Sequence, residues 1–123
     1  MGADPNARDN NDNTPLHLAS KIGLVEVAEI LLDRGVDANA RNNDENTPLH
    51  LASENEHVKV ARILLDRGVN VNARNKDNTI PLHFACKSKH LEVVRILLNR
   101  RADVNARDKN HKTPLLWALQ DIQ

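Results

Sequence analysis

Four segments of this chain repeat at a fixed interval of 33 residues, without insertion or deletion. Thr14-Pro15-Leu16-His17-Leu18-Ala19 returns as Thr47-Pro48-Leu49-His50-Leu51-Ala52. It returns again as Ile80-Pro81-Leu82-His83-Phe84-Ala85 and as Thr113-Pro114-Leu115-Leu116-Trp117-Ala118. A second block keeps the step at Ile30-Leu31-Leu32, Ile63-Leu64-Leu65 and Ile96-Leu97-Leu98. A third keeps it at Asn6-Ala7-Arg8, Asn39-Ala40-Arg41, Asn72-Ala73-Arg74 and Asn105-Ala106-Arg107. Self-similarity at this period means that one supersecondary unit is copied along an axis, each copy too small to bury its own apolar face.

The second unit shows what is copied. Thr47 before Pro48 is a helix start, a hydroxyl N-cap followed by proline where its missing donor costs nothing. Leu49, Leu51 and Ala52 give this short helix an apolar side. Ser53 to His57 reads as a tight polar connection. A second helix is predicted from about Val58 to Arg67, with Val60, Ala61, Ile63, Leu64 and Leu65 as its buried stripe. Gly68 stands where a left-handed residue ends a helix, and Arg67 complements the helix dipole. Asn70-Val71-Asn72-Ala73 then leads into the turn formers of residues 74–78. One unit is thus helix, turn, helix and an extended hairpin-like loop.

These residues resemble the ankyrin-repeat family in the 33-residue period, the Thr-Pro-Leu-His motif, the Leu-Leu before a helix-ending Gly and the Asp/Asn-x-Asn-Ala lead-in. The resemblance covers essentially the whole chain. It implies an all-α solenoid, one domain over 1–123 with units of about 2–34, 35–67, 68–100 and 101–123. Its hairpin loops would project without pairing, and its concave face would bind other proteins without catalysis. Departures are informative. Where the family carries Gly at the hairpin tip, this chain has Asp12, Glu45, Asn78 and His111. The inter-helix Gly survives as Gly23 and becomes Glu56 and Lys89. The glycine after the second helix becomes Arg101 in the third unit. Such losses destabilise the stack, because side chains resist left-handed backbone. Gly2 aligns with Gly35 and Gly68, so the chain opens inside a unit. It closes after one helix of the fourth, offering Leu115, Leu116, Trp117, Leu119 and Ile122. Such ends read as a piece of a longer array or as surfaces that self-associate.

Composition narrows the function. The 123 residues suit one domain with a sizeable core. Lys plus Arg equals Asp plus Glu at 17 each, so no global field recruits nucleic acid or an anionic membrane. With 2% aromatics, stacking platforms for bases are scarce, and no nucleic-acid partner is expected. No apolar run approaches a bilayer span, the N-terminus lacks a signal-peptide layout, and one cysteine fits a reducing interior. An intracellular protein, cytoplasmic or nuclear, is the expectation.

No cofactor or metal is expected. His17, His50 and His83 sit one per unit, whereas stacked helices lie roughly 8–10 Å apart and zinc ligands must converge to about 2 Å. The resemblance gives these histidines a role in ordering the hairpin–helix junction. His57, His90 and His111 fall on turns and read as solvated. Cys86 shares its slot with Ser20 and Ser53 and reads as a small filler. Asp33 and Asp66 recur in register, as copying produces. No nucleophile, base or phosphate loop stands out.

The resemblance implies partner binding by Arg8, Asn10, Asn11, Arg41, Asn43, Asp44, Glu54, Arg74, Lys76, Asp77, Lys87, Arg107 and Lys109. Over the whole set of equivalent positions, which adds residues such as Lys21, Arg34, Arg67, Arg100, Lys112 and Asp121, twelve basic residues stand against four acidic ones. Adding the adjacent Asp9, Asp12, Glu45 and Asp108 halves that excess. An acidic partner surface is one expectation. Arginines at helix ends and hairpins also fit dipole complementation or bracing of the loops. The alternative function is an engineered or structural homo-oligomer joined through its ends or through the odd apolar positions Ile22, Leu24 and Ile80.

Overall fold

The computed structural model describes residues 4–120. Gly2, Asp121 and Ile122, named above, lie outside them. Seven helices follow in order: α1 (Pro15–Ile22), α2 (Val25–Asp33), α3 (Pro48–Glu54), α4 (Val58–Asp66), α5 (Pro81–Lys87), α6 (Leu91–Asn99) and α7 (Pro114–Leu119). Each odd-numbered helix begins at a repeated proline. The second helix of the second unit ends at Asp66, and Arg67 is its C-cap. Within units α1 packs on α2, α3 on α4 and α5 on α6. Between units α1 packs on α3, α3 on α5 and α5 on α7, while α2, α4 and α6 form a second row. The all-α solenoid is the observed architecture.

The core runs continuously through the stack. Leu16, Leu49 and Leu82 are at most 2% exposed, and Val60, Leu64, Val93 and Leu97 are fully buried. Burial on this scale contributes about 1.5–3 kcal/mol per large aliphatic side chain. Ile80 belongs here too. Its reading as a contact for self-association is corrected, because it has no exposure at all and sits in the core cluster. It replaces a capping threonine, so α5 lacks the hydroxyl cap of α1 and α3.

Backbone geometry follows the repeat even where glycine has been lost. Asp12, Glu45, Asn78 and His111 all take φ between 61° and 65°. Glu56 and Lys89 take φ of 61° and 59°, and Arg101 takes 69°. Left-handed backbone costs a side-chain-bearing residue roughly 1–2 kcal/mol, so packing of the array imposes it. Gly23 survives for a steric reason as well. A Cβ there would meet the His57 ring at 2.5 Å.

The chain ends expose what the interior buries. Leu115 is 66% exposed although its counterparts Leu16, Leu49 and Leu82 are hidden, and Leu98 is open where Leu32 and Leu65 are not. With Leu82, Cys86, Val94, Val104 and Pro114 they line an apolar pocket of ≈ 390 Å³.

Candidate protein-recognition groove

The repeated polar residues tie one unit to the next. In α1 and α3 the N-cap threonine accepts a hydrogen bond from the main-chain N–H of the histidine three residues on. That histidine's Nδ1 accepts in turn from the threonine N–H. Because Nδ1 is an acceptor, the proton sits on Nε2. From there it is donated to the following loop: His17 to the Asn46 carbonyl at 2.8 Å, His50 to Thr79 at 2.8 Å and His83 to Lys112 at 2.9 Å. All three rings are fully buried. Burial lowers their pKa values, His50 to about 4, against the pull of the accepting carbonyl. The histidines therefore stay neutral and hold each hairpin–helix junction to the next unit.

His57 and His90 require a correction: they are not simply solvated turn residues. They are the N-cap residues of α4 and α6, half-buried, and each ring reaches the preceding unit. His57 Nε2 lies 2.9 Å from the Lys21 carbonyl, and His90 Nε2 lies 3.2 Å from that of Glu54. His90 Nδ1 also meets the Glu56 carboxylate at 3.2 Å. Nothing in the sequence pattern announced this bond, since the first unit has Leu24 at the same place.

The arginines form a ladder. Arg8 Nη1 donates to the carbonyl of Asp12 (3.0 Å) and, one unit on, to that of Arg41 (2.9 Å). Arg41 does the same to Glu45 and Arg74, and Arg74 to Asn78 and Arg107. The bracing role is thus what the geometry shows for Arg8, Arg41 and Arg74. Each holds the carbonyl of the left-handed tip residue in its own loop. Arg67 and Arg100 pair at 2.6 Å with Asp33 and Asp66 of the preceding unit, which also explains the recurring aspartates.

The loops form no strand among the described residues, as expected, but each is linked to its neighbour by a backbone hydrogen bond. Asn43, Lys76 and Lys109 each donate a backbone N–H to the preceding tip, at Asn11, Asp44 and Asp77. Inside each loop one Asp or Asn organises the turn: Asp9, Asn42, Asn75 and Asp108 accept two backbone N–H groups each. Burial raises the Asp108 pKa, but the Lys112 N–H, the Trp117 indole and the Asn110 N–H together bring it below the ordinary carboxylate value.

Between the loops and the first helices runs a groove. Over the first two units it is a polar hollow of ≈ 410 Å³. Asn11, Asn13, Asn42, Asn43, Asp44 and Asn46 line the loop side, and Lys21, Leu51 and Glu54 the helix side. The candidate residues Asn10, Asn11, Asn43, Asp44, Glu54, Lys76, Lys87, Arg107 and Lys109 are exposed, and Asp77 half-exposed. Lys76 pairs with Asp44 at 2.7 Å and Lys109 with Asp77 at 3.0 Å, exposed pairs worth little energetically. The third and fourth units carry Phe84 and Trp117 at the position of Leu51. Sequence reasoning missed them as groove residues, although one repeat position changing from Leu to an aromatic was the available signal. The sequence pattern groups Trp117 with the apolar side chains offered by the last helix. It is instead half-buried, and its indole donates to Asp108 at 2.8 Å. Its ring meets His83 and Phe84 edge-on, with Lys87 Nζ 5.7 Å from the ring centre.

Among the described residues, no three His, Cys, Asp or Glu side chains come together as a metal site, and no helix is long and apolar enough to cross a membrane. Cys86 is half-buried, and burial pushes its thiol pKa up.

Stacked helix pairs tied by one polar ladder per repeated motif define a helical repeat solenoid. Two family profiles match the chain, "Ankyrin repeats (3 copies)" over residues 1–75 and "Ankyrin repeats (many copies)" over residues 64–115. An ankyrin repeat protein of fowlpox virus (strain NVSL) is 57% identical over 35 residues, 28% of this chain. That match spans 8% of the viral protein's length. The chain belongs to the ankyrin-repeat family, whose members generally serve as protein–protein interaction modules and are typically non-catalytic.

Proposed function

We propose that this chain recognises another protein through the groove between its loops and first helices. The observation that carries this reading is a division of labour. Residues repeated from unit to unit are mostly engaged between units, while several exposed positions along the groove change from unit to unit. At equivalent positions stand Asn10, Asn43, Lys76 and Lys109, and likewise Lys21, Glu54 and Lys87. A rigid frame limits the ordering cost of binding, and the variable residues give specificity. Placing a photo-crosslinker at Glu54 or Lys87 in the groove, and at Lys59 or Arg62 on the exposed side of α4, tests this. Partner adducts from the groove alone are expected in the producing cells. Equal or stronger adducts from α4 would overturn the proposal.

A second reading is self-association, favoured by the exposed Leu115, Leu116 and Leu119 at one end and Ile22 and Leu24 at the other. Light scattering over a hundredfold concentration range separates the two: a constant 13.8 kDa excludes it, and a rising mass supports it.

A further inference from the structure

The groove is electrically uneven along its length. Loops and first helices of the first two units (7–22 and 40–54) hold three basic and five acidic residues. Those of the last two (73–87 and 106–119) hold six basic and two acidic. The two acids at this basic end are already occupied. Asp77 faces Lys109, and Asp108 accepts from two backbone N–H groups and the Trp117 indole. Arg107 and Lys112 make no ion pair among the described residues. The half-buried Trp117, locked by its indole bond and flanked by Phe84 and Lys87, lies in the same stretch. A rigid aromatic with a lysine beside its ring is the kind of anchor that dominates protein interfaces.

We infer that the groove takes an acidic peptide segment at its third and fourth units, with an apolar side chain on the Trp117–Phe84 edge. Its carboxylates lie against Lys87 and Lys112, which make no ion pair among the described residues, and against Lys76 and Lys109, whose exposed pairs with Asp44 and Asp77 the peptide has to displace. This rests on the groove being the binding face. Glu54 and Asp44 at the other end oppose a continued acidic run, so the segment lies in one direction, its acidic part toward the C-terminal units. Charge complementarity of this kind sets register and encounter rate and weakens with salt.

The test uses the single tryptophan. Poly-L-glutamate carrying occasional leucine is titrated into ¹⁵N-labelled protein at low salt, with poly-L-lysine and oligo-dT as controls. The expected result is saturable movement of the Trp117 indole signal and of amides in units three and four, with little in units one and two. A joint Lys87→Glu and Lys109→Glu change should weaken binding at least tenfold, whereas Lys59→Glu on α4 should not. Circular dichroism confirms that each variant stays folded. Movement spread evenly over the surface, equal binding of oligo-dT, or an unaffected double variant would overturn the inference. Groove crosslinks to a partner, with no response to the acidic polymer, would leave the protein-binding proposal standing and remove only this one.

Discussion

The second and third units share one backbone and differ at several of the positions that face the groove. Both begin a helix at proline, both bury a histidine, and both turn through positive φ at the same places. Yet Asn43, Leu51 and Glu54 in one become Lys76, Phe84 and Lys87 in the other. The third unit also gives up a threonine cap at Ile80 and a helix-ending glycine at Arg101. The fold thus tolerates local losses because each unit is held by its neighbours, and the face stays free to vary.

The deepest difference between the two units lies at their histidines. His50 donates to the Thr79 carbonyl, which is buried, whereas His83 reaches a half-buried carbonyl at Lys112. His50→Ala leaves a buried N–H and a buried carbonyl unpaired and opens a cavity. It should cost roughly 3–4 kcal/mol in urea unfolding. His83→Ala should cost less, and equal costs would break the comparison.

Acid probes the same bonds without mutation. Folded-state pKa values of the buried histidines lie below the unfolded value, so their contribution is complete above about pH 6.5. It is lost as pH falls through that value toward about 4 for His50. The His50 share is about 3 kcal/mol. Urea midpoints measured between pH 7 and 4 should fall steadily, with a shallower slope in His50→Gln.

Helix ends give a smaller and purely backbone test. A Cβ at Gly68 meets nothing within 4 Å, so Gly68→Ala isolates conformational strain and should cost about 1 kcal/mol. Arg101→Gly, at the same place one unit on, should gain about 0.5–1 kcal/mol. A thermal melt of each variant reads both signs. Smallest is Ser53→Ala. The Ser53 hydroxyl is fully buried without a partner, where the third unit has Cys86, and removing it should stabilise by about 0.5–1 kcal/mol.

Most of the frame was legible in the sequence. The period located each helix start, and the aligned glycines marked the positive-φ positions after the helices, including Lys89 and Arg101, while those at the hairpin tips, such as Glu45, followed from the family resemblance alone. The groove was legible only in part. Position in the repeat indicated which residues face it. Side-chain engagement depends on atoms 29 to 36 residues away, as in the Arg8, His57 and Asp33 contacts. A single unit read alone shows none of these partners.

Repetition by itself therefore determined that the chain stacks, where its helices begin and which helix-ending turns are left-handed, because those follow from local chemistry copied at constant spacing. Only the tertiary structure decided which polar residues bond unit to unit and which stay exposed along the groove. It placed Ile80 in the core and Trp117 in the groove, since burial and pairing are properties of neighbours that stacking brings together.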